Sequence, residues 1–233
     1  MIRGNLTVLV VDDQPVIVAG LQMMLDVQDD ITVVGTAADG EEAVMLAAEL
    51  RPDVVLMDIR MPGMGGIEAA RRIVVADTAG AVLMITTFDD EQYLRESVQA
   101  GATGFLMKNA GPDLLATAVR SAARGDALID PAMTRVLLER SMGKPADNEV
   151  TRHYSQRLES LSVREREILS AMARGLSNVE IAQSLFVSEA TVKTHIASVF
   201  AKTGSRSRVQ AAMFGYESGF IRPHWADDDQ SGS

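Results

Sequence analysis

Five short apolar runs in the first 125 residues constrain the fold more than any other feature of the chain. They lie at residues 7–11, 31–36, 54–57, 81–86 and 104–107. Short runs that are apolar throughout are typical of parallel strands buried on both faces. Segments with apolar residues at helical spacing alternate with the runs, at 16–25, 40–50, 66–75, 91–100 and 112–124. Five strand–helix units with right-handed crossovers predict a doubly wound α/β sheet, although the pattern alone leaves the strand order open.

The pattern from residue 158 onwards is helical throughout. In a capping box, a Ser side chain and a Glu or Gln three residues later satisfy the free N–H groups at a helix start. Three pairs match it: Ser162 with Glu165, Ser177 with Glu180, and Ser207 with Gln210. Gly175 and Gly219 stand where helices end. Together these signals predict an all-α unit of four short helices, at 163–174, 178–185, 189–202 and 208–218.

The region between the two units has the composition of a linker. Gly125 closes the α/β unit, and Asp130 followed by Pro131 is a typical helix opening, so a short linker helix is predicted at 131–141. Residues 143–155 mix Gly, Pro and charged residues without periodicity, which predicts a flexible tether. The predicted organisation is therefore a first domain at 1–125, a linker at 126–157, a second domain at 158–222 and a disordered tail at 223–233.

Charge is divided unevenly along the chain. Residues 1–130 hold 9 Lys and Arg against 20 Asp and Glu, whereas residues 151–222 hold 10 against 6. Only the second half is therefore suited to a polyanion such as DNA. There is no Cys, which excludes disulfides and thiolate metal sites, and no apolar stretch approaches the ~20 residues of a membrane span. We expect a soluble, cytoplasmic protein that does not bind membranes.

Polar residues stand where the predicted strands end. Asp12 and Asp13 follow the first strand, Asp58 the third and Lys108 the fifth, while Thr86 ends the fourth. Because ligands collect beyond the carboxyl ends of parallel strands, these side chains should meet at one rim. Clustered carboxylates suit Mg²⁺, and a carboxylate beside Mg²⁺ and Lys can attack a phosphoryl group. Lys108 would neutralise the phosphoryl charge, and the Thr86 hydroxyl could donate a hydrogen bond to it.

A plainer interpretation stands beside this one. A single Asp after a strand is more often a helix cap or a solvated loop residue, and Asp12 and Asp13 could simply cap the helix that follows them. The placement of five polar residues at the same rim favours the functional interpretation.

The motifs VVDDQP, LMDIRMPGMGG, MITTF and GATGFLMK resemble the receiver domain of two-component response regulators over residues 6–124. The resemblance implies a flavodoxin-like fold with strand order 2-1-3-4-5. It also implies that Asp58 is the phosphoacceptor and that Asp12 and Asp13 bind Mg²⁺ together with Asp58 and the Arg60 backbone carbonyl.

By the same resemblance, Lys108 is the lysine of the family's site, Thr86 and Phe105 form the switch pair, and Pro62 and Gly66 shape the loop after Asp58. Two departures are mild. Phe105 stands where Tyr is common, and Asn109 stands where Asp is frequent.

The predicted helix at 189–202 has two distinct faces, as expected of a DNA-recognition helix. Stepping 100° per residue places Val192, Ile196, Val199 and Phe200 on a core-facing stripe. The opposite face carries small residues, namely Thr194, Ala197, Ser198 and Ala201, and Lys193 and His195 flank it. A small face flanked by cations can enter the major groove, as the second helix of a helix-turn-helix does. The alternative is a four-helix interaction module of another kind.

The motifs LSVREREIL, GLSNVEIAQSL and VSEATVKTHIASVFAKTGSRSRVQA are similar to the LuxR-type DNA-binding domain over residues 158–219. With the receiver, this is the architecture of NarL/FixJ-type response regulators. The resemblance implies base-facing positions at Lys193, Thr194 and Ala197, and phosphate contacts at Lys202, Arg206 and Arg208. His195 is either a further phosphate contact or a structural residue. The last helix serves dimerisation in some relatives.

The sequence therefore predicts a phosphorylation-regulated transcription factor with no catalysis beyond its own phosphorylation and dephosphorylation at Asp58. Its expected partners are a sensor histidine kinase, double-stranded promoter DNA and a second copy upon phosphorylation, with RNA polymerase as a further candidate. One alternative is a phosphatase of the haloacid dehalogenase type, but its DxDx[TV] motif follows the first strand, whereas Asp58 follows the third. Another is a constitutive DNA-binding protein with an inert receiver, which the intact acidic set disfavours.

Overall fold

A computed structural model of the chain describes residues 5–86, 93–126, 154 and 156–221. They form two compact units, and the boundary between the units falls between residues 133 and 134. The predicted linker helix at 131–141, the tail at 223–233 and most of the tether at 143–155 lie outside the described residues.

The first unit is built on a five-stranded parallel sheet. Its strands are β1 (Leu6–Val11), β2 (Ile31–Ala37), β3 (Val54–Asp58), β4 (Ala81–Thr86) and β5 (Gly104–Met107). They lie in the order β2-β1-β3-β4-β5, which confirms the fold that the family resemblance implies. Every residue of β3, β4 and β5 is buried, as expected of strands that are covered on both faces.

Five helices cover the sheet: α1 (Pro15–Asp26), α2 (Gly40–Leu50), α3 (Gly66–Ala76), α4 (Leu94–Ala100) and α5 (Pro112–Arg124). Leu21 and Leu25 of α1 and Leu115 of α5 pack with the strands in one apolar core, while α2 and α3 pack against the strands elsewhere and α4 against α3. The helix predicted at 91–100 begins only at Leu94 within the described residues.

This strand order determines where ligands can gather. The chain leaves β1 for β2 on one side of the sheet and returns to β3 on the other, so the direction of winding reverses beside β1. Such a switch point opens a crevice at the carboxyl ends of the strands. Asp12 directly follows β1, and Asp58 is the last residue of β3.

The second unit is all-α, as predicted. Its helices are α6 (Val163–Ala173), α7 (Asn178–Ser184), α8 (Glu189–Thr203) and α9 (Arg208–Glu217). The capping boxes at Ser162 and Ser177 are both complete. At the third predicted box, Ser207 accepts from the Gln210 N–H, but the Gln210 side chain accepts from the N–H of Arg206 rather than that of Ser207.

The helical unit extends further towards the N-terminus than the predicted boundary at residue 158. Tyr154 is helical, its hydroxyl donates to Glu217 at 2.6 Å, and its ring packs against Phe214. Arg157 donates to the Thr203 carbonyl at 2.7 Å. The end of the predicted linker is therefore part of the folded unit, because its aromatic and basic side chains have partners on α8 and α9.

Of the helices in the part of the chain that the structure describes, none has both the length and the apolar character needed to span a bilayer.

Candidate functional site

The rim of the sheet brings together Asp12, Asp58 and Lys108. The Lys108 ammonium lies 2.8 Å from Asp12 Oδ2 and 3.0 Å from Asp58 Oδ1, so one cation bridges two carboxylates. Asp12 is 2% exposed and Asp58 is 3% exposed. The Lys108 backbone N–H also donates to the Thr86 carbonyl at 2.8 Å, which ties the end of β4 to the loop after β5. The structure therefore places these predicted residues at one rim.

Asp13 completes a set of three carboxylates. Asp12, Asp13 and Asp58 each offer an oxygen, and these oxygens lie within 4.8 Å of one another. Asp13 Oδ1 is buried and has no hydrogen-bond partner among the described residues. An oxygen-only set with one unsatisfied buried oxygen fits a hard cation such as Mg²⁺. Asp12 also accepts from the Gln14 N–H at 2.9 Å, but Gln14 is itself the N-cap of α1 and no side chain caps that helix, so the plainer interpretation of Asp12 and Asp13 as helix caps is wrong.

Burial dominates the electrostatics of the site. It raises the pKa of Asp58 to about 6, against the opposing effect of Lys108 and with a further increase from the Asp12 charge. Burial by itself would lower the pKa of Lys108, but the hydrogen bonds and charges of Asp12 and Asp58 outweigh it and raise that pKa. At neutral pH, the site therefore contains a cationic lysine beside a carboxylate that is ionised yet poorly solvated.

The loop after β3 lies close against Asp58. The Gly66 N–H donates to the Ile59 carbonyl at 3.1 Å, and a Cβ at Gly66 would lie 1.8 Å from the Asp58 backbone oxygen. Only glycine fits such an approach. Arg60 lies exposed in this loop, and the role of its carbonyl remains a prediction.

Thr86 and Phe105 lie on neighbouring strands and are fully buried. Phe105 pairs in register with Met84, two residues before Thr86. Residues two apart on a strand point to the same face of a sheet, so the Thr86 and Phe105 side chains share a face. This is the arrangement that a coupled pair of side chains requires.

The helix-turn-helix consists of α7, a four-residue turn and α8. Ser188 caps α8 by accepting from the Thr191 N–H at 3.1 Å. Val192, Ile196 and Val199 are buried in the core and Phe200 packs against it, as the predicted stripe requires. The predicted base-facing residues Lys193, Thr194 and Ala197 are exposed, and His195 is partly exposed.

The three predicted phosphate contacts differ in their surroundings. Arg206 is exposed. Lys202 pairs with Glu165 of α6 at 2.7 Å, with 37% of its side chain exposed. Arg208 is 5% exposed, and its guanidinium donates to the Asn178 side chain at 3.1 Å and to the Leu176 carbonyl. Arg208 thus holds the start of α7 in place, and its burial does not suit a phosphate contact.

Sequence reasoning identified Glu165 only as part of a capping box. In the structure its carboxylate also binds Ser198 and Lys202 of α8. The one available signal was the four-residue spacing of Ser198 and Lys202, which places both on one side of a helix.

A doubly wound sheet with an acidic rim, followed by a helix-turn-helix unit, defines the class of response regulators that bind DNA. Comparison with known families agrees. Residues 8–120 match the response regulator receiver domain, and residues 159–214 match the LuxR family of bacterial regulatory proteins.

Relatives match along nearly the whole chain. The transcriptional regulatory protein YxjL of Bacillus subtilis is 37% identical, over 95% of this chain and all of the relative. The nitrate/nitrite response regulator NarL of Escherichia coli is 34% identical, over 89% of this chain and 94% of the relative. Among solved structures, the response regulator ChrA of a heme-sensing two-component system is 37% identical, with a TM-score of 0.52, over 94% of this chain and all of that one.

The chain belongs to the NarL-type response regulators and is a two-component transcription regulator with a receiver domain and a LuxR-type DNA-binding domain. Membership in this family excludes the alternative of a haloacid dehalogenase-type phosphatase.

The raised pKa of Asp58 makes the stability of the metal-free protein depend on pH. Because the folded pKa of Asp58, about 6, lies above the ordinary 3.8, the folded state retains a proton between these pH values that the unfolded chain has released. The stability from this group is therefore full at low pH and falls as the pH rises towards 6. Asp58→Asn should be more stable than wild type above neutral pH by roughly 2–3 kcal/mol, and nearly equal near pH 4.

Urea unfolding in EDTA across this pH range measures the difference. Asp29→Asn, which changes an exposed carboxylate of the same unit, is the control and should show little pH-dependent gain. An Asp58→Asn advantage that does not grow with pH would contradict the assigned electrostatics.

Proposed function

We propose that this chain is a phosphorylation-switched transcription regulator of the cytoplasm, in which Asp58 accepts a phosphoryl group from a partner histidine kinase with Mg²⁺. The observation that supports this proposal most is the Lys108 ammonium bridging buried Asp12 and Asp58, with Asp13 beside them. A helix cap or solvated loop would need neither the burial nor the cation. The site occurs in the same chain as a helix-turn-helix, which connects phosphoryl chemistry to DNA.

The chemistry follows from the residues at the rim. An Asp58 carboxylate oxygen attacks the phosphorus, the P–N bond of the phosphohistidine breaks, and its electron pair remains on the imidazole nitrogen, which takes up a proton. Lys108 exchanges carboxylate contacts for a phosphoryl oxygen and neutralises its charge. Asp12, Asp13, Asp58 and the Arg60 carbonyl would hold Mg²⁺, which supplies further charge neutralisation. Water then hydrolyses the acyl phosphate, so dephosphorylation occurs at the same residue.

Asp58 should therefore become labelled by acetyl phosphate or phosphoramidate only when Mg²⁺ is present, because the crowded carboxylates repel an anionic donor. Asp58→Asn preserves the shape of the site and removes the nucleophile, so labelling should fall to background. Intact-protein mass spectrometry measures the added phosphoryl group, with Asp29→Asn as the matched control. Labelling of Asp58→Asn at the wild-type level would exclude Asp58 as the acceptor. Absence of labelling in the wild type would favour the alternative of a constitutive DNA-binding protein with an inert receiver.

The proposed DNA interface is the exposed side of α8. Lys193, Thr194 and Ala197 project from it and are suited to base edges, Arg206 is suited to a phosphate, and His195 is a candidate contact at the flank. Ala197 has no group that can donate or accept a hydrogen bond, so direct readout there is limited to apolar contact. We leave Arg208 out of the interface because its guanidinium is bound within the unit.

DNA binding by residues 154–222 should weaken steeply with salt, since each phosphate contact releases counterions. Lys193→Ala should weaken binding to a selected duplex by roughly 1–3 kcal/mol and affect a scrambled duplex less, whereas Arg206→Ala should weaken both alike. Fluorescence anisotropy titrations over a range of KCl concentrations provide both affinities and slopes. Equal losses on both duplexes for Lys193→Ala would remove this residue from the base contacts.

Phosphorylation is proposed to convert a poorly binding form into a dimer on a promoter with two half-sites, where RNA polymerase is a candidate partner. Thr86 would move towards the phosphoryl oxygens, and Phe105, on the same face of the sheet, would fill the vacated space. A shift from 1:99 to 99:1 requires about 5.5 kcal/mol of differential interaction. Charge-assisted contacts of the phosphoryl group with Lys108, Thr86 and Mg²⁺ are of a kind that can contribute on this scale.

Sedimentation velocity should show a monomer-to-dimer shift upon addition of a stable phosphoryl mimic with Mg²⁺, together with tighter DNA binding. Thr86→Val retains the shape of Thr86 and removes its hydroxyl, so it should accept the mimic yet dimerise less. Unchanged mass and affinity of the wild type under saturating mimic would disprove the switch while leaving the DNA interface intact.

A further inference from the structure

Glu165 joins the start of α6 to the second half of α8. Its carboxylate accepts from the Ser162 backbone N–H at 2.7 Å, which closes the capping box of α6. It also accepts from Ser198 Oγ at 2.6 Å and from the Lys202 ammonium at 2.7 and 2.9 Å. Glu165 is only 4% exposed, so its charge depends on these donors.

The two α8 contacts fix the orientation of that helix. Ser198 and Lys202 lie one helical turn apart, on the flank between the buried stripe and the exposed face of α8. A helix held at two points one turn apart resists rotation about its axis. The hydrogen bond from Lys202, with those from Ser198 and Ser162, lowers the pKa of Glu165 to about 2, so this contact is ionic at every physiological pH.

The same contact determines what Lys202 can do. Its position in α8 predicts a phosphate contact, but its ammonium already binds both oxygens of a buried carboxylate. Moving Lys202 to a DNA phosphate would leave that carboxylate buried without its cation, which is strongly unfavourable. Lys193 and Arg206 lie exposed on the same unit.

We propose that Glu165 is a positioning residue for DNA reading, which fixes the rotation of α8 through Ser198 and holds Lys202 away from the DNA phosphates. The unit thereby gives up one sequence-independent contact and gains discrimination between duplexes. This inference rests on the proposed DNA-binding function.

The test uses the full chain with a stable phosphoryl mimic and Mg²⁺ present throughout, and two duplexes of equal length, one selected by the wild type from a random pool and one scrambled. Glu165→Gln retains an acceptor for the capping box and removes the charge that holds Lys202. On the scrambled duplex, the slope of log affinity against log salt concentration should steepen by roughly 0.9 per bound protomer, the value for one further phosphate contact. Scrambled binding should tighten at low salt. The selected-to-scrambled affinity ratio should fall, because α8 is no longer held in one rotation about its axis.

Glu167→Gln is the matched control, since it removes the same charge from the same helix. Glu167 pairs with Arg164 at 2.8 Å and is 45% exposed, so no cation of α8 is released. Its salt slope should equal that of the wild type. An unchanged slope for Glu165→Gln, or an equal increase in both variants, would overturn the proposal.

Lys202→Met provides a second test if Glu165→Gln unfolds, which thermal denaturation would reveal. Because Lys202 makes no phosphate contact in this proposal, the slope of Lys202→Met should match the wild type. A decrease of about 0.9 would identify Lys202 as a phosphate contact and refute the proposal. A wild type with no salt-dependent DNA binding would instead refute the DNA-binding function itself.

Discussion

The receiver unit depends on one cation placed between two buried carboxylates. Asp12 directly follows β1 and Asp58 ends the neighbouring β3, so the sheet order forces their charges together away from water. Two like charges in such a place would favour an open rim or a protonated acid. Lys108 reaches both because β5 ends at the same rim and because its N–H is anchored to the Thr86 carbonyl. The site therefore exists only when all the strands that build it are in place.

This arrangement does not fully offset the cost of burying the charge of Asp58. One lysine shared by two carboxylates does not offset the burial of Asp58, whose pKa stays near 6. A poorly solvated carboxylate has less hydration to lose when it attacks phosphorus, and the remaining negative charge favours a divalent cation. The property that destabilises the metal-free fold is the same one that would suit the site to the proposed phosphoryl chemistry. Such a conflict between stability and local chemistry is common at functional sites.

The sequence was most informative where local patterns decide the structure. Buried parallel strands are apolar on both faces, so the runs at 81–86 and 104–107 coincide with β4 and β5 to the residue. Strand order depends on long-range pairing, and only the family resemblance supplied it. Helical spacing located the exposed face of α8 but could not show that Arg208 is buried against α7, or that Lys202 faces Glu165. Those facts depend on which element packs against a flank, and periodicity within one helix contains no such information.

Net charge, like helical periodicity, does not show which partner a side chain contacts. The excess of cations in residues 151–222 correctly indicates which half of the chain suits a polyanion. Yet several of its arginines donate to backbone carbonyls near helix ends: Arg157 to Thr203, Arg164 to Leu185, Arg166 to Leu158 and Leu161, and Arg208 to Leu176. The carbonyls of Leu185 and Thr203 lie at the C-terminal ends of α7 and α8, where helix carbonyls lack intrahelical partners, and a guanidinium can satisfy several carbonyls at once. These cations still contribute to the electrostatic field that attracts DNA, but their geometry serves the framework that holds α7 and α8. In the proposed interface, the cations that attract DNA therefore need not be the ones that contact it.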